Sequence, residues 1–393
     1  MPENVLYLLF TLSAVSLSFL LDKSDNKVAF YVSSPFFIFL AFFPLHFNTG
    51  LGNNWFYFDE FKFTWISWTW LLIISASYPA AFLVSSIVKN NSLDFRTPHI
   101  SSLYDTRKIS SFFYLLSMLS LVGLFINFSH VGFSVSLLFE SPREYERKFG
   151  MQWYINYLYF LHVPALILLV IKKHIGSLKR IDILLGVTVF FGSFLHGIKY
   201  TVFDAIFFPL LFYVCLVGFD KVRFKFLTLC VFFIIFFSFF SYFVRGGHED
   251  FDPFVIFTYV LPNYYNLFYS LELQPVPIVF PYNAIFGFLP ETDFENFLVG
   301  GFLLNPKYNM STGLKELIEV FSLYCVLGFY VPSLIYLKVY KRNSLLHIFL
   351  ATYILFCFLM MFYSYYFGTK FKYIYFLIVF VFIDLFSKRR RCG

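Results

Sequence analysis

The chain has 393 residues, of which 59% are apolar, 24% aromatic and only 13% charged, with a formal net charge of +7 at pH 7. So few polar side chains cannot cover the surface of a soluble domain, and the composition points to a single integral membrane domain over 1–393. A nucleic-acid partner is not expected, because the basic residues form short clusters between apolar runs instead of one stripe or arm.

The amino terminus, MPENVLYLLF, has no basic n-region and no small-residue cleavage site after its first apolar run, so that run is expected to remain as a membrane helix. A span needs about 20 mostly apolar residues to cross about 30 Å of hydrocarbon. Eleven segments qualify, at roughly 4–21, 28–47, 65–88, 111–128, 153–171, 182–198, 201–218, 226–244, 316–337, 344–366 and 373–387. The expected fold class is therefore all-α and polytopic. Four of the five cysteines lie inside apolar segments and Cys392 lies in the basic tail, so no disulfide is expected.

Cytoplasmic loops are enriched in Lys and Arg. With the KRRR tail placed inside, the inner loops hold 20 of the 30 basic residues and the outer segments 10, and the amino terminus lies outside. A further apolar stretch, PFVIFTYVLPNYYNLFYSL (253–271), is long enough to span, but spanning would move KVYKR and the tail outside. Pro262, Asn263 and Asn266 interrupt it, and it is read as an interfacial or re-entrant helix.

Two outer segments are large: 129–152, and 245–315, which holds seven of the sixteen prolines. The inner loops are short and carry neither a P-loop nor a dinucleotide fingerprint, so any chemistry faces outward and draws on no cytosolic nucleotide. No cofactor is expected. No His, Cys, Asp and Glu cluster has metal-ligand spacing, and no catalytic triad signature is present.

The outer stretch SPREYERKFG (141–150) puts five charges into six positions of a chain that elsewhere avoids charge. Ser141 as N-cap, Pro142 at the first helical position and Glu144 in the first turn predict a short helix opened by a capping box. On it Arg143 and Arg147 share a face, Glu144 and Lys148 make an i, i+4 pair, and Tyr145 and Phe149 form an apolar face. Two readings stand: arginines neutralised by Glu140, Glu144 and Glu146 on a solvated helix, or two forks facing a phosphate.

Other outer polar residues carry similar alternatives. Lys199, in HGIKYTVFD with His196 before it and Asp204 one turn on, either lines a polar site or snorkels to the headgroups. Arg245, in YFVRGGHED, meets a phosphate or anchors a helix end, and His248 beside it is a candidate base or a solvated loop residue. Ser311 or Thr312 caps the ninth span near Asn309, and Glu319, a turn or two into it, is the costlier residue and a candidate for function. Asp384 is assigned to pairing with the basic tail, and His162 and His347 to satisfied core or interfacial positions.

In its span count, its Phe and Leu content and its two outer loops, the chain resembles the O-antigen polymerases, the Wzy family of the bacterial inner membrane. The local matches are SPREYERKFG, GIKYTVFDAIFFP, YFVRGG and YNMSTGLKELIEVFSLYCVLGFY. Lys199 stands where many of that family have arginine. Asn309 stands near the place where the related O-antigen ligases have histidine, which favours polymerase over ligase. The resemblance implies a GT-C-like glycosyltransferase that joins undecaprenyl-pyrophosphate-linked oligosaccharide units on the periplasmic face. Both 129–152 and 245–315 would then be periplasmic loops. It further implies pyrophosphate binding by Arg143, Arg147, Lys199 and Arg245, glycan binding at Asn309, a general base in Glu319 or His248, and no metal. Membrane lipid and a chain-length regulator protein are the other partners it implies. A flippase for the same lipid-linked units is the competing class, but such proteins show two similar halves, and no internal repeat is found here. A membrane acyltransferase would need an early histidine with an arginine partner, and the first two spans offer only His46.

Overall fold

The computed structural model describes residues 100–149, 153–196, 199–218, 325–339, 344–360 and 371–389, with single positions at Trp65, Thr69, Ile73, Val222, Thr228 and Ile235. The described residues are helical and contain no strand. They divide between two compact units, one of Met1–Asp94, Phe254–Lys338 and Ile354–Phe371, the other of Phe95–Pro253, Val339–Tyr353 and Lys372–Gly393.

The second unit opens with α1 (Ile100–Leu103) and α2 (Thr106–His130), the latter capped by Asp105, whose carboxylate accepts from Arg107 N at 2.8 Å. Gly132, at φ 64°, turns the chain out of α2, as a residue without Cβ can. Two short helices follow, α3 (Ser136–Glu140) and α4 (Pro142–Phe149). Buried Val131, Leu138, Tyr145 and Phe149 pack with Leu124 and Phe128, folding this segment back onto the end of α2.

The next expected span is built as α5 (Trp153–Phe160) and α6 (His162–His174), interrupted at Leu161. Pro164 explains the interruption, since it has no N–H for the Phe160 carbonyl four residues back and its ring crowds that oxygen. α7 (Arg180–Gly192) begins two residues before the expected span because Lys179 N donates to Asp182 Oδ2 at 2.7 Å. It gives way to a 3-10 turn at Ser193–His196, where the Ser193 hydroxyl takes the Phe190 carbonyl at 2.7 Å. α8 (Lys199–Val217) completes this run.

α10 (Leu345–Leu359) starts in the second unit, and α11 (Phe371–Ser387) runs beside α8. These two helices are parallel: Tyr373 and Phe376 meet Phe208, and Phe380 meets Phe212. Phe349 of α10 stacks on Phe380 with centroids 4.2 Å apart. In the first unit α9 (Cys325–Val339) reaches Lys338 with Pro332 inside it, and the Ser333 hydroxyl donates to Phe329 O at 2.6 Å.

Two helical stretches, Thr106–His130 and Tyr154–His174, are long and apolar enough to cross a membrane, and Thr201–Val217 and Leu345–Leu359 are shorter apolar helices. Between the first two the packing is of the close, small-residue kind found between helices in lipid. A Cβ on Gly123 would stand 2.5 Å from Tyr159 N, so α2 and α5 touch backbone to backbone there. On the same stripe the Ser120 hydroxyl donates to Tyr159 O at 3.0 Å and Asn127 Nδ2 to Asn156 Oδ1 at 2.8 Å. Such interhelical bonds in lipid average about 0.6 kcal/mol each, so the fit at Gly123 matters more than either. The outward faces are apolar: Leu115, Met118, Val122 and Phe125 on α2, and Ile378, Phe382, Leu385 and Phe386 on α11, are exposed.

Candidate functional site

One end of the second unit gathers α4, the 3-10 turn and the starts of α8 and α11. The sequence SPREYERKFG does form a helix beginning at Pro142, and its apolar face is locked down. Tyr145 and Phe149 are fully buried, Tyr145 Oη donates to Leu195 O, and Phe149 sets its ring edge-on to His196 at 5.0 Å. Burial pushes the Tyr145 phenol well above its ordinary pKa, so it is a neutral donor. The capping box differs from expectation. Ser141 N donates to Leu137 O at 2.9 Å to end α3, which leaves no free N–H for Glu144 to reach back to. Glu144 instead takes its expected i, i+4 partner Lys148 at 2.6 Å, and that ammonium holds the carboxyl below the usual range.

Beneath α4 lies a polar cluster in an apolar surround. Tyr159 stacks on both His162 (4.9 Å) and His196 (5.2 Å). His162 Nδ1 donates to Tyr159 O at 2.9 Å, and His196 Nδ1 lies 3.1 Å from Thr201 Oγ1 in the first turn of α8. The Nε2 atoms of both imidazoles are buried without a hydrogen-bond partner. One turn along α8, Asp204 is paired with Lys372 at 2.5 Å and accepts from Tyr373 Oη at 3.1 Å. The Lys372 ammonium also lies 5.5 Å from the Phe160 ring and 5.0 Å from the Tyr373 ring. Asp204 is buried, while Lys372 keeps 18% of its side chain exposed. An ionisable group among apolar helices is expensive, and its usual justification is a partner or a function.

The opposite end of the unit carries two further polar junctions. Lys172 and Asp182 are fully buried 2.9 Å apart, a contact lying off the hydrogen-bonding direction of the ammonium, and Tyr114 Oη donates to Asp182 at 2.6 Å. Asp384 is paired with Lys388 at 2.5 Å, as its nearness to the basic tail suggested, and also accepts from Tyr104 Oη. Tyr104 Oη in turn accepts from Leu345 N at 2.9 Å.

Of the residues singled out in the sequence, Arg143 lies in the first turn of α4, and Arg147 lies one turn on with its side chain exposed. Lys199 is the first residue of α8, three positions beyond the His196 that Phe149 covers. The structure thus brings α4 to the segment leading into Lys199. Arg245, His248, Asn309 and Glu319 lie outside the described residues, as does the stretch 253–271. His162 occupies the core, as expected, but with one nitrogen unpartnered. Lys372 was not singled out in the sequence. Its signal is Asp204 itself, a carboxylate inside an apolar helix that has no basic residue at i±3 or i±4 and must therefore find its counterion on another helix. Among the described residues no group of three or more His, Cys, Asp or Glu side chains could hold a metal ion.

No protein-family model, curated protein or solved structure matches the chain.

Proposed function

We propose that this protein is an O-antigen polymerase: a GT-C-like glycosyltransferase of about 11 spans in the bacterial inner membrane that joins lipid-linked oligosaccharide repeat units on the periplasmic face. The observation that carries the proposal is the seating of α4. An isolated charged helix on a membrane surface would be held by nothing in particular, whereas this one buries Tyr145 and Phe149 against the turn that precedes Lys199. Arg143, Arg147 and Lys199 then stand on neighbouring backbone at one end of the helices. Outward apolar faces over buried polar contacts support the membrane setting.

In the proposed reaction a hydroxyl oxygen at the non-reducing end of an incoming unit attacks the anomeric carbon of the growing glycan. The bond from that carbon to the pyrophosphate oxygen breaks, undecaprenyl pyrophosphate leaves with the electron pair, and the hydroxyl proton passes to a base for which Glu319 and His248 are the candidates. The developing charge is on the pyrophosphate, so fixed cations placed there lower the barrier more than they stabilise the ground state. Arg245 and Asn309 are assigned to pyrophosphate and glycan respectively on the resemblance, and a chain-length regulator protein is the proposed partner.

Deletion of the gene tests the reading. A lost polymerase leaves surface lipopolysaccharide with a single repeat unit; a lost flippase leaves none, and full ladders after deletion reject the proposal.

A further inference from the structure

The polar cluster under α4 has a feature that a purely structural ion pair does not need. Asp204 and Lys372 join two parallel helices near their amino-terminal ends, since Asp204 is one turn into α8 and Lys372 is the second residue of α11. Each of these ends presents backbone N–H groups without helical acceptors and carries about half a positive charge. Lysine has three N–H donors. Among the described residues a single carboxylate takes one of them, two aromatic rings flank the ammonium, and the remaining exposure is on the lysine side of the pair. The same place holds the His196 Nε2 atom, buried and unpartnered, on a ring tied to Thr201 in the first turn of α8. Two helix starts, a lysine at the rim and an imidazole nitrogen without a hydrogen-bond partner meet around one acid among the described residues.

We propose that Lys372 binds the pyrophosphate of the lipid-linked substrate, with Asp204 as its positioning residue. This rests on the polymerase reading for the identity of the lipid and on the geometry alone for the phosphates. Asp204 and Tyr373 fix the lysine stem against α8, and the rings of Phe160 and Tyr373 shield the ammonium from competing water, so the free N–H donors meet an anion already oriented. Lys372 thereby joins Arg143, Arg147 and Lys199 at the same end of the helices, on the last one, where the sequence showed only a loop lysine.

The test is binding of undecaprenyl pyrophosphate to the purified full-length protein in micelles, with inorganic pyrophosphate as competitor. The double variant Asp204→Asn, Lys372→Met removes both charges, so no buried ion is stranded and the fold is kept. It is expected to melt as the wild type and to bind the lipid about tenfold or more weakly. Lys372→Arg is expected to stay within about threefold of wild type. Wild-type binding by the stable double variant would overturn the proposal. So would full binding in the exchanged pair Asp204→Lys, Lys372→Asp, which restores the ion pair but withdraws the cation from the rim. Failure of inorganic pyrophosphate to compete would also overturn it, because the lipid tail would then be the recognised part. The two readings separate cleanly: Lys372-dependent binding with normal ladders in the deletion strain keeps the anion site and discards the polymerase, whereas single-repeat lipopolysaccharide with Lys372-independent binding discards the anion site alone.

Discussion

Two of the three lysine–aspartate pairs among the described residues of the second unit join different helices, one pair at each end, and they solve the same electrostatic problem differently. At one end Lys172 and Asp182 are 1% and 0% exposed, with the ammonium over the rings of Phe113 and Tyr114 at 5.1 and 4.8 Å. Asp182 accepts in addition from Tyr114 Oη and from Lys179 N, so its oxygens are filled by the protein. At the other end Asp204 has Lys372 and Tyr373, the lysine is partly open, and two imidazole nitrogens nearby have no partner. A closed pair contributes mainly by not being broken, because the desolvation of both ions offsets most of their attraction. An open pair whose ammonium can be reached from outside has capacity left for a ligand, whereas Lys172 Nζ, although it too has no hydrogen-bond partner, is sealed from any. The contrast separates the structural clasp from the candidate site without appeal to which residues are charged, since both pairs are Lys with Asp.

The comparison is broken most directly at the closed pair. Asp182→Ala strands Lys172 without a counterion and should cost about 3–5 kcal/mol, read as a large drop in melting temperature or as loss of inserted protein. Replacing both residues, Lys172→Met with Asp182→Leu, should recover most of that stability while leaving lipid binding untouched. If Asp182→Ala were harmless, the ammonium would have to reach water by some route, and the distinction between the two ends would fail.

Next in size is the seam that holds α5 against α2. Gly123→Val would drive a side chain into Tyr159 N, a backbone atom that cannot rotate away. Overpacking of this kind costs about 1–3 kcal/mol, and here it also displaces Tyr159, on which both histidines stack. Thermal unfolding should show the loss, and lipid binding should fall with it. Gly123→Ala is expected to show the same two effects, each smaller.

Much of this arrangement is legible in the sequence. The expected spans at 111–128, 153–171, 201–218 and 373–387 fall on α2, α5 with α6, α8 and α11, because long apolar runs fix helices by composition. The charged helix was readable from Pro142 and from the spacing of Tyr145 and Phe149. What it packs against was not, since a 3-10 turn fifty residues away leaves no local pattern. The Ser141 cap misled for a related reason: the same residue ends α3, a five-residue helix without apolar periodicity. Lys372 was hidden because a lysine at a loop edge reads as a snorkelling residue until its partner on α8 is known.

At the basic tail, Tyr104→Phe tests whether the clasp there is closed in the same sense. The substitution removes the donor to Asp384 and the acceptor for Leu345 N together. Loss of a buried hydrogen-bonding group typically costs about 1–2 kcal/mol. Because Arg389 N donates to Leu103 O and Arg389 Nε to Tyr104 O, trypsin should cut the tail faster in the variant than in the wild type. Unchanged cleavage would show that Lys388, with Leu346 N, is enough to hold Asp384.

The smallest effect is expected from the residue that looks most conspicuous in the sequence. Glu144→Gln removes the carboxylate that pairs with Lys148 on the exposed face of α4. Exposed i, i+4 pairs contribute little, so the melting temperature should not move measurably. What Glu144 does contribute follows the sign of its shift: its carboxyl is held below the usual range, so the contribution is present at neutral pH and is lost as the pH falls through the folded-state pKa. Function should respond in the other direction. Removing a negative charge beside Arg147 strengthens the local positive field, so an α4 that faces phosphate should bind undecaprenyl pyrophosphate slightly better in Glu144→Gln. A helix whose arginines serve only to balance its glutamates would show no change in binding, and Arg147→Ala would be equally silent. Normal ladders and wild-type affinity in both variants would remove α4 from the site and leave the Asp204–Lys372 end to stand alone.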